Sequence, residues 1–305
     1  MDNLLNKRAL LVTGKGGVGR TSVSAGLALA GAKAGRRVLL VEIGEPEGDY
    51  SPLARLFGRE RLPEKAEEIA PGVRGTILYM RNGHEAFLKT VVPIPALVRA
   101  AVRSKSLGRL LEAAPSFQEM GIFYLLLTLL KDTLSDGAPR NELLIFDMPA
   151  TGHTLALTNL PDILLKLMPT GPIADALREG QTFFNDPELT AACVVTLPEM
   201  LPVTECLELI EGLRESGMPV GPIIVNKLPP GEFSAQESAA LSAALEGRRV
   251  FGADRFMRLS HSKKSLQRLE QVDIPVLSIP EYPLEGRELS EELGDFLHRT
   301  QEGEP

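Results

Sequence analysis

Residues 14 to 21 read Gly-Lys-Gly-Gly-Val-Gly-Arg-Thr, between the apolar run Ala9-Leu10-Leu11-Val12 and an Ala- and Leu-rich stretch from Ser22 to Lys33. A short apolar run of that kind suits a strand buried on both faces. The stretch after the loop reads as a helix that Gly35 stops. Gly16, Gly17 and Gly19 carry no Cβ, so the turn between strand and helix can tighten and aim its N–H groups at one point. The start of the helix adds the positive end of its dipole to the same place. Strand, glycine turn and helix together make a phosphate cradle, with Gly14, Lys15, Gly16, Gly17, Val18, Gly19, Arg20, Thr21 and Ser22 as its candidate binding residues. The expected ligand is ATP or ADP, and the Thr21 hydroxyl is placed to hold the Mg²⁺ that bridges the terminal phosphates.

The rest of the chain repeats the pattern. Arg37–Glu42 is a second buried run, and strand, helix and parallel strand within about 35 residues make a βαβ unit. Further runs lie at Thr76–Met80, Leu143–Asp147, Ala192–Leu197, Val220–Asn226 and Pro275–Pro280, with helical patterns at Val203–Ser216 and Ser234–Leu245. The alternation predicts an α/β fold: a doubly wound, mostly parallel sheet flanked by helices. Residues 83 to 135 lack strand signals and read as a helical insertion within one domain spanning 1–300, with 301–305 as a disordered tail.

Composition narrows the function classes. A net charge of −7 with no dense Lys/Arg run argues against a nucleic-acid partner or an anionic membrane surface. Cys193 and Cys206, the two cysteines, form no CxxC pair, so neither a zinc framework nor a disulfide framework is expected. The apolar stretch Ile122–Leu130 falls well short of the roughly 20 residues of a membrane span. The basic residues Lys7 and Arg8 follow the apolar pair Leu4-Leu5 instead of preceding a long apolar core, unlike a signal peptide. The expectation is a cytoplasmic protein without an integral membrane segment.

At Asp147-Met148-Pro149-Ala150-Thr151-Gly152-His153-Thr154-Leu155 the chain resembles the switch II segment D-x-A-P-T-G-H-T-L of the ArsA-type ATPases, a family that includes the arsenite-pump ATPase and the targeting ATPase for tail-anchored membrane proteins. The resemblance runs from about residue 7 to 295, through Leu160-Pro161-Asp162, Thr196-Leu197-Pro198-Glu199, Val225-Asn226-Lys227 and Ile279-Pro280-Glu281-Tyr282-Pro283-Leu284. It implies that Asp147 holds the Mg²⁺ shell with Thr21 and that the Gly152 backbone senses the γ-phosphate. It also implies that Asn226 and Lys227, with Pro280 and Tyr282, surround the adenine. Lys15, ahead of two glycines, resembles the signature lysine of the deviant Walker motif, which reaches the phosphates of a facing protomer. That implies a homodimer, or a heterodimer with a related ATPase, in which Lys15 and Asp147 are the catalytic residues.

Two departures touch the chemistry. The loop lysine of the family pattern is Arg20 here, whose planar fork does not replace an ammonium at a fitted site. Where the family reads D-x-D-P-A-H, this chain reads Glu42-Ile43-Gly44-Glu45-Pro46-Glu47, so Gly44 stands at the water-positioning Asp unless the loop shifts by one and Glu45 serves. The resemblance therefore implies either a dimeric ATPase with slow or impaired hydrolysis, or a non-hydrolysing nucleotide-bound regulatory or scaffold subunit. A hydrophobic protein client is the partner implied for the insertion. Ile94, Leu97, Val98, Ala101 and Val102 recur there at helical spacing, and Met120, Ile122, Phe123 and Leu125–Leu127 form a second apolar block. Helices that merely pack on each other and on the sheet are the competing reading.

Overall fold

In the computed structural model, which describes residues 3–44, 51–79, 115–149, 151–167, 169–231, 233–245 and 253–303, one eight-stranded sheet organises the chain. Its strands are β1 (Ala9–Gly14), β2 (Val38–Gly44), β3 (Glu67–Ala70), β4 (Val73–Tyr79), β5 (Leu143–Asp147), β6 (Thr190–Thr196), β7 (Val220–Leu228) and β8 (Val276–Pro280). They lie in the order β3-β4-β2-β5-β1-β6-β7-β8, and every neighbouring pair is parallel except β3 on β4. The expected doubly wound α/β fold is what forms.

Among the described residues the α-helices are α1 (Arg20–Lys33), α2 (Pro52–Leu56), α3 (Pro115–Lys131), α4 (Thr151–Leu167), α5 (Pro172–Phe184), α6 (Met200–Glu215), α7 (Ala235–Leu245), α8 (Ala253–Leu269) and α9 (Gly286–Glu302). The central strands are apolar on both faces because both faces are covered. Leu10, Val12, Leu40 and Ile145 pack with Leu27, Leu293 and Leu297 of α1 and α9. Leu11, Leu39, Leu144 and Phe146 pack with Ile122, Leu126, Val203, Leu209 and Leu269 on the other side. Helices α1 and α9 touch closely: a Cβ on Gly26 would come within 2.7 Å of the Leu293 Cβ, and one on Gly294 within 2.7 Å of the Leu29 Cβ. Each leucine buried between them contributes about 1.5–3 kcal/mol.

This winding positions a site. From β1 the chain crosses to β2 on one side of the sheet, and from β5 it returns across β1 to β6 on the other. The C-terminal ends of β5, β1 and β6 therefore open onto a crevice at the point where the strand order reverses, which is where open α/β sheets take ligands.

Several expectations change. Strand β3 was not foreseen, because Glu67 and Glu68 are exposed and Ile69 alone is buried, which leaves no periodic signal. Strand β4 begins at Val73 instead of Thr76: Arg74 and Gly75 interrupt the apolar pattern, yet the Arg74 guanidinium is satisfied by the Ala66 carbonyl at 2.7 Å. Its expected last residue, Met80, lies outside the described residues. The tail expected from Gln301 is corrected in part. Helix α9 runs to Glu302, and the Gln301 side chain accepts a 2.6 Å hydrogen bond from the Leu4 N–H.

Of the insertion, α3 is described. Its Ile122, Phe123, Leu126 and Leu127 are buried against the sheet, so that apolar block serves the core. The block from Ile94 to Val102 lies outside the described residues. Both cysteines are free and buried, and burial pushes each thiol up to about 12. Among the described residues no helix is long and apolar enough to cross a membrane.

Candidate functional site

The glycines of the loop have separate reasons to be there. Strand β1 ends at Gly14, where φ is 148° and a Cβ would stand 2.3 Å from the Val195 carbonyl oxygen of β6. Gly19 caps the start of α1 in the left-handed region, at φ 90°, and a Cβ there would meet the Asn226 Nδ2 at 2.3 Å. A Cβ on Gly16 or Gly17 would meet nothing within 4 Å, so the cradle is open on that side. That open face beside the start of a fourteen-residue helix fits a phosphate group.

The loop is braced from β7. Asn226 donates from Nδ2 to the Val18 carbonyl at 2.9 Å, while its Oδ1 accepts from the Lys227 N–H at 2.9 Å. Lys227 sits at φ 55°, the one positive φ among the described non-glycine residues. Strand β8 pairs beside it, with Leu228 opposite Pro280, and the Glu281 N–H donates to the Leu228 carbonyl at 2.8 Å. Asn226, Lys227 and Pro280 therefore share one rim of the crevice. Tyr282 follows two residues later, packed against the core on the α1 face.

At the opposite rim stands Asp147, the last residue of β5 and 9% exposed. Its Oδ2 accepts from Thr21 Oγ1 at 2.8 Å and its Oδ1 from Ser24 Oγ at 3.1 Å. Burial pushes its carboxyl up to about 6, against the Thr21 hydrogen bond, the Arg20 charge and the Ser24 hydrogen bond. Glu42, 6% exposed, is its register neighbour on β2. Burial raises Glu42 to about 7; Asp147 pushes the same way, and hydrogen bonds from the Ser51 hydroxyl and the Leu53 backbone oppose it. Arg20 donates to the Met148 carbonyl, and burial lowers its pKa against the nearby Asp147 charge.

Carboxylates and hydroxyls make a hard, oxygen-only donor set. Among the described residues no group of three or more His, Cys, Asp or Glu side chains gathers to cage an ion. One or two carboxylates completed by water and phosphate oxygens is the arrangement that suits Mg²⁺.

The remaining candidates are placed as follows. Lys15 forms an ion pair with Glu205 of α6, and Ser22 and Gly152 lie in the first turns of α1 and α4. Gly44 carries no side chain and so no carboxylate; a Cβ there would lie 2.6 Å from the Ile77 Cδ1 and 3.1 Å from the Tyr79 Cε1, both tips of side chains. Glu45 lies outside the described residues. Sequence reasoning overlooked Ser24, although its three-residue spacing from Thr21 puts both hydroxyls on one helix face. It also passed over Ser51, whose position before Pro52 is a helix-start signal. The pairing of Thr13 with Thr154, Oγ1 to Oγ1 at 3.0 Å, left no signal, because the two are 141 positions apart.

Comparison with known proteins adds family information to this geometry. The family model described as anion-transporting ATPase matches residues 7–51 and 170–251. The ATPase BagA of Mycobacterium tuberculosis is 31% identical over 249 residues, covering 79% of this chain and 70% of the relative. The ATPase GET3B of Arabidopsis thaliana is 29% identical, over 75% of this chain and 66% of its own length. The ATPase GET3 of Chaetomium globosum is 26% identical, over 75% and 76% respectively.

Proposed function

The chain belongs to the ArsA-type family of anion-transporting ATPases, and from that premise we propose that it is an ATP-binding dimeric switch whose hydrolysis is slow. The observation that carries this reading is the open glycine cradle set beside Thr21 and Asp147, which are already hydrogen-bonded to each other. In this reading Gly14 to Ser22 hold the phosphates, and Thr21 and Asp147 hold Mg²⁺. Asn226, Lys227, Pro280 and Tyr282 frame the adenine, and the Gly152 backbone faces the terminal phosphate. When bound, Mg²⁺ neutralises charge on the terminal phosphates. Lys15 is the residue offered to a second protomer, either another copy or a related ATPase. A hydrophobic client at the insertion rests on the resemblance and on the spacing from Ile94 to Val102. The working compartment in this reading is the cytoplasm.

Slow turnover rests on two residues. Arg20 brings a forked cation where the family's loop uses a compact ammonium. Gly44 brings no side chain, so no carboxylate at that position orients water, and orientation is a large part of phosphoryl-transfer catalysis. The same observation favours a second reading, in which the chain binds nucleotide without hydrolysing it and serves as the regulatory partner of a complete relative. γ-Phosphate release by the purified protein, alone and mixed with such a relative, separates the two.

The wild type is expected to turn over well below the roughly 10 s⁻¹ typical of enzymes. Arg20→Lys is expected to speed it by about tenfold or more, in keeping with the size of a single electrostatic group's effect on catalysis. A wild-type rate near that typical value, or an Arg20→Lys variant no faster than wild type, would overturn the slow-hydrolysis reading.

A further inference from the structure

Apart from the crevice edged by Asn226, Lys227, Pro280 and Tyr282, a second cleft of about 430 Å³ opens between the end of β7, α7 and α8. That volume lies within the roughly 300–1,000 Å³ of small-molecule sites. None of those four residues lines it. One end is apolar. Phe233, between β7 and α7, and Phe256, in the first turn of α8, meet edge to face with ring centroids 5.6 Å apart. Leu228 and Leu259 add aliphatic surface to the lining.

The other end is cationic. Helix α8 sets Ser260 one turn beyond Phe256, and Lys263 and Lys264 about two turns beyond it, on the same face. At about 1.5 Å of rise per residue, the lysines stand roughly 10 Å along the helix from the aromatic pair. The arginines of α8 are engaged elsewhere. Arg255 donates to the Pro230 carbonyl at 3.4 Å, Arg258 pairs with Glu281 at 3.2 Å, and Arg268 donates to Thr204 Oγ1 at 2.9 Å. Lys263 and Lys264 are exposed and have no ion-pair partner among the described residues, and no described Asp or Glu lines the cleft.

We propose that this cleft binds a free amphipathic anion of the fatty-acid class, its aliphatic chain against Phe233, Phe256 and Leu259 and its carboxylate on Lys263 and Lys264. The apolar end alone would accept any hydrocarbon, and burying a chain there is favourable whatever its head group. The two uncompensated ammonium groups supply the selection, because they attract an anionic head and repel a cationic one. The chain as a whole carries a net charge of −7, so the attraction is local to this rim. A bounded cleft of this size fits one chain at a time, whereas a bilayer is met by a broad amphipathic face. The site does not rest on the nucleotide reading, and either can fail without the other.

Titration calorimetry with decanoate tests this, alongside butyrate, decyltrimethylammonium and vesicles of phosphatidylcholine with phosphatidylglycerol. Decanoate is expected to bind saturably at one site per chain, and shorter acids to lose up to about fourfold in affinity per methylene removed. Butyrate is expected to give no saturable heat for want of a chain, and decyltrimethylammonium none because its head meets like charge. The double variant Lys263→Gln, Lys264→Gln is expected to melt with wild type and to bind decanoate at least about fivefold more weakly, the scale of exposed ion pairs. Ser260→Phe, which sets a ring between the two ends, is expected to bind none. No saturable heat with decanoate overturns the proposal, as does wild-type affinity in the lysine variant or equal binding of decyltrimethylammonium. Sedimentation with the vesicles, without binding of decanoate, would assign the lysines to a membrane surface and overturns it too. Should Ser260→Phe fail to fold, the lysine variant, changed at exposed positions alone, decides.

Discussion

Alanine at Gly19 is expected to abolish nucleotide binding and to lower stability by about 3 kcal/mol. Two costs add. Gly19 sits at φ 90°, and holding an L-residue in that half of the map costs about 1–2 kcal/mol. The new methyl would also lie 2.3 Å from the Asn226 Nδ2, and Asn226 is what clamps the Val18 carbonyl to β7. The amide must swing away, leaving a buried carbonyl without its donor, at about 1–3 kcal/mol. The loop then loses the brace that sets its curvature. Alanine at Gly16 makes the contrast, since its Cβ would meet nothing and φ there is not positive. Gly16→Ala should melt within about 0.5 kcal/mol of wild type, the usual range of a substitution that disturbs no packing. It should still bind ATP more weakly, because its methyl enters the cradle. Urea midpoints and nucleotide titrations on both variants check this. Equal stability of Gly19→Ala and wild type would contradict the geometry around Asn226.

Glu42→Gln is expected to stabilise the empty protein at pH 8 by up to about 3 kcal/mol. The carboxyl stands at about 7 in the fold, against 4.5 as its ordinary value, because burial outweighs the hydrogen bonds from Ser51 and the Leu53 backbone. A raised carboxyl pKa means that the folded chain holds a proton which the unfolded chain has already released. The favourable contribution is therefore complete below about pH 4.5 and lost as the pH rises through about 7. Asp147, raised from 3.8 to about 6, acts in the same direction. Each pH unit of displacement corresponds to about 1.4 kcal/mol. Glutamine carries no titrating group and can still accept from Ser51, so the variant's advantage should shrink below about 1 kcal/mol near pH 5. Unfolding curves at the two pH values decide it. A variant less stable than wild type at pH 8 would mean that the Glu42 charge is compensated by something other than burial allows.

The parts legible in the sequence were those written in consecutive residues. The loop from Gly14 to Thr21, the strand before it and the helix after it are set by local spacing and form as expected, the helix beginning at Arg20, two residues ahead of the expected Ser22. Asp147 could be picked out because it opens the segment Asp147–Leu155 that resembles the family's switch II, and it closes strand β5. What could not be read was pairing across distance. Nothing near Gly19 announces that Asn226, far along the chain, fills the place of its missing side chain. Nothing near Lys15 points to Glu205, and nothing near Gly44 shows that the Ile77 and Tyr79 side chains lie against the place of its missing Cβ. Strand β3 failed to show for a related reason. An edge strand covered on one side needs little apolar content, and Ile69 alone supplies it. Gln301 and Glu302 read as tail because a charged, polar helix end looks the same as a disordered one until Leu4 is found bonded to it.

Titration calorimetry of the folded protein with ATP and Mg²⁺ bears most directly on what the glycine loop is for. One saturable site is expected, with a dissociation constant within the roughly 1 μM to 1 mM span usual for enzyme substrates, and the heat should vanish in Gly19→Ala. A well-folded wild type that releases no heat with either ATP or ADP would leave the loop without its ligand.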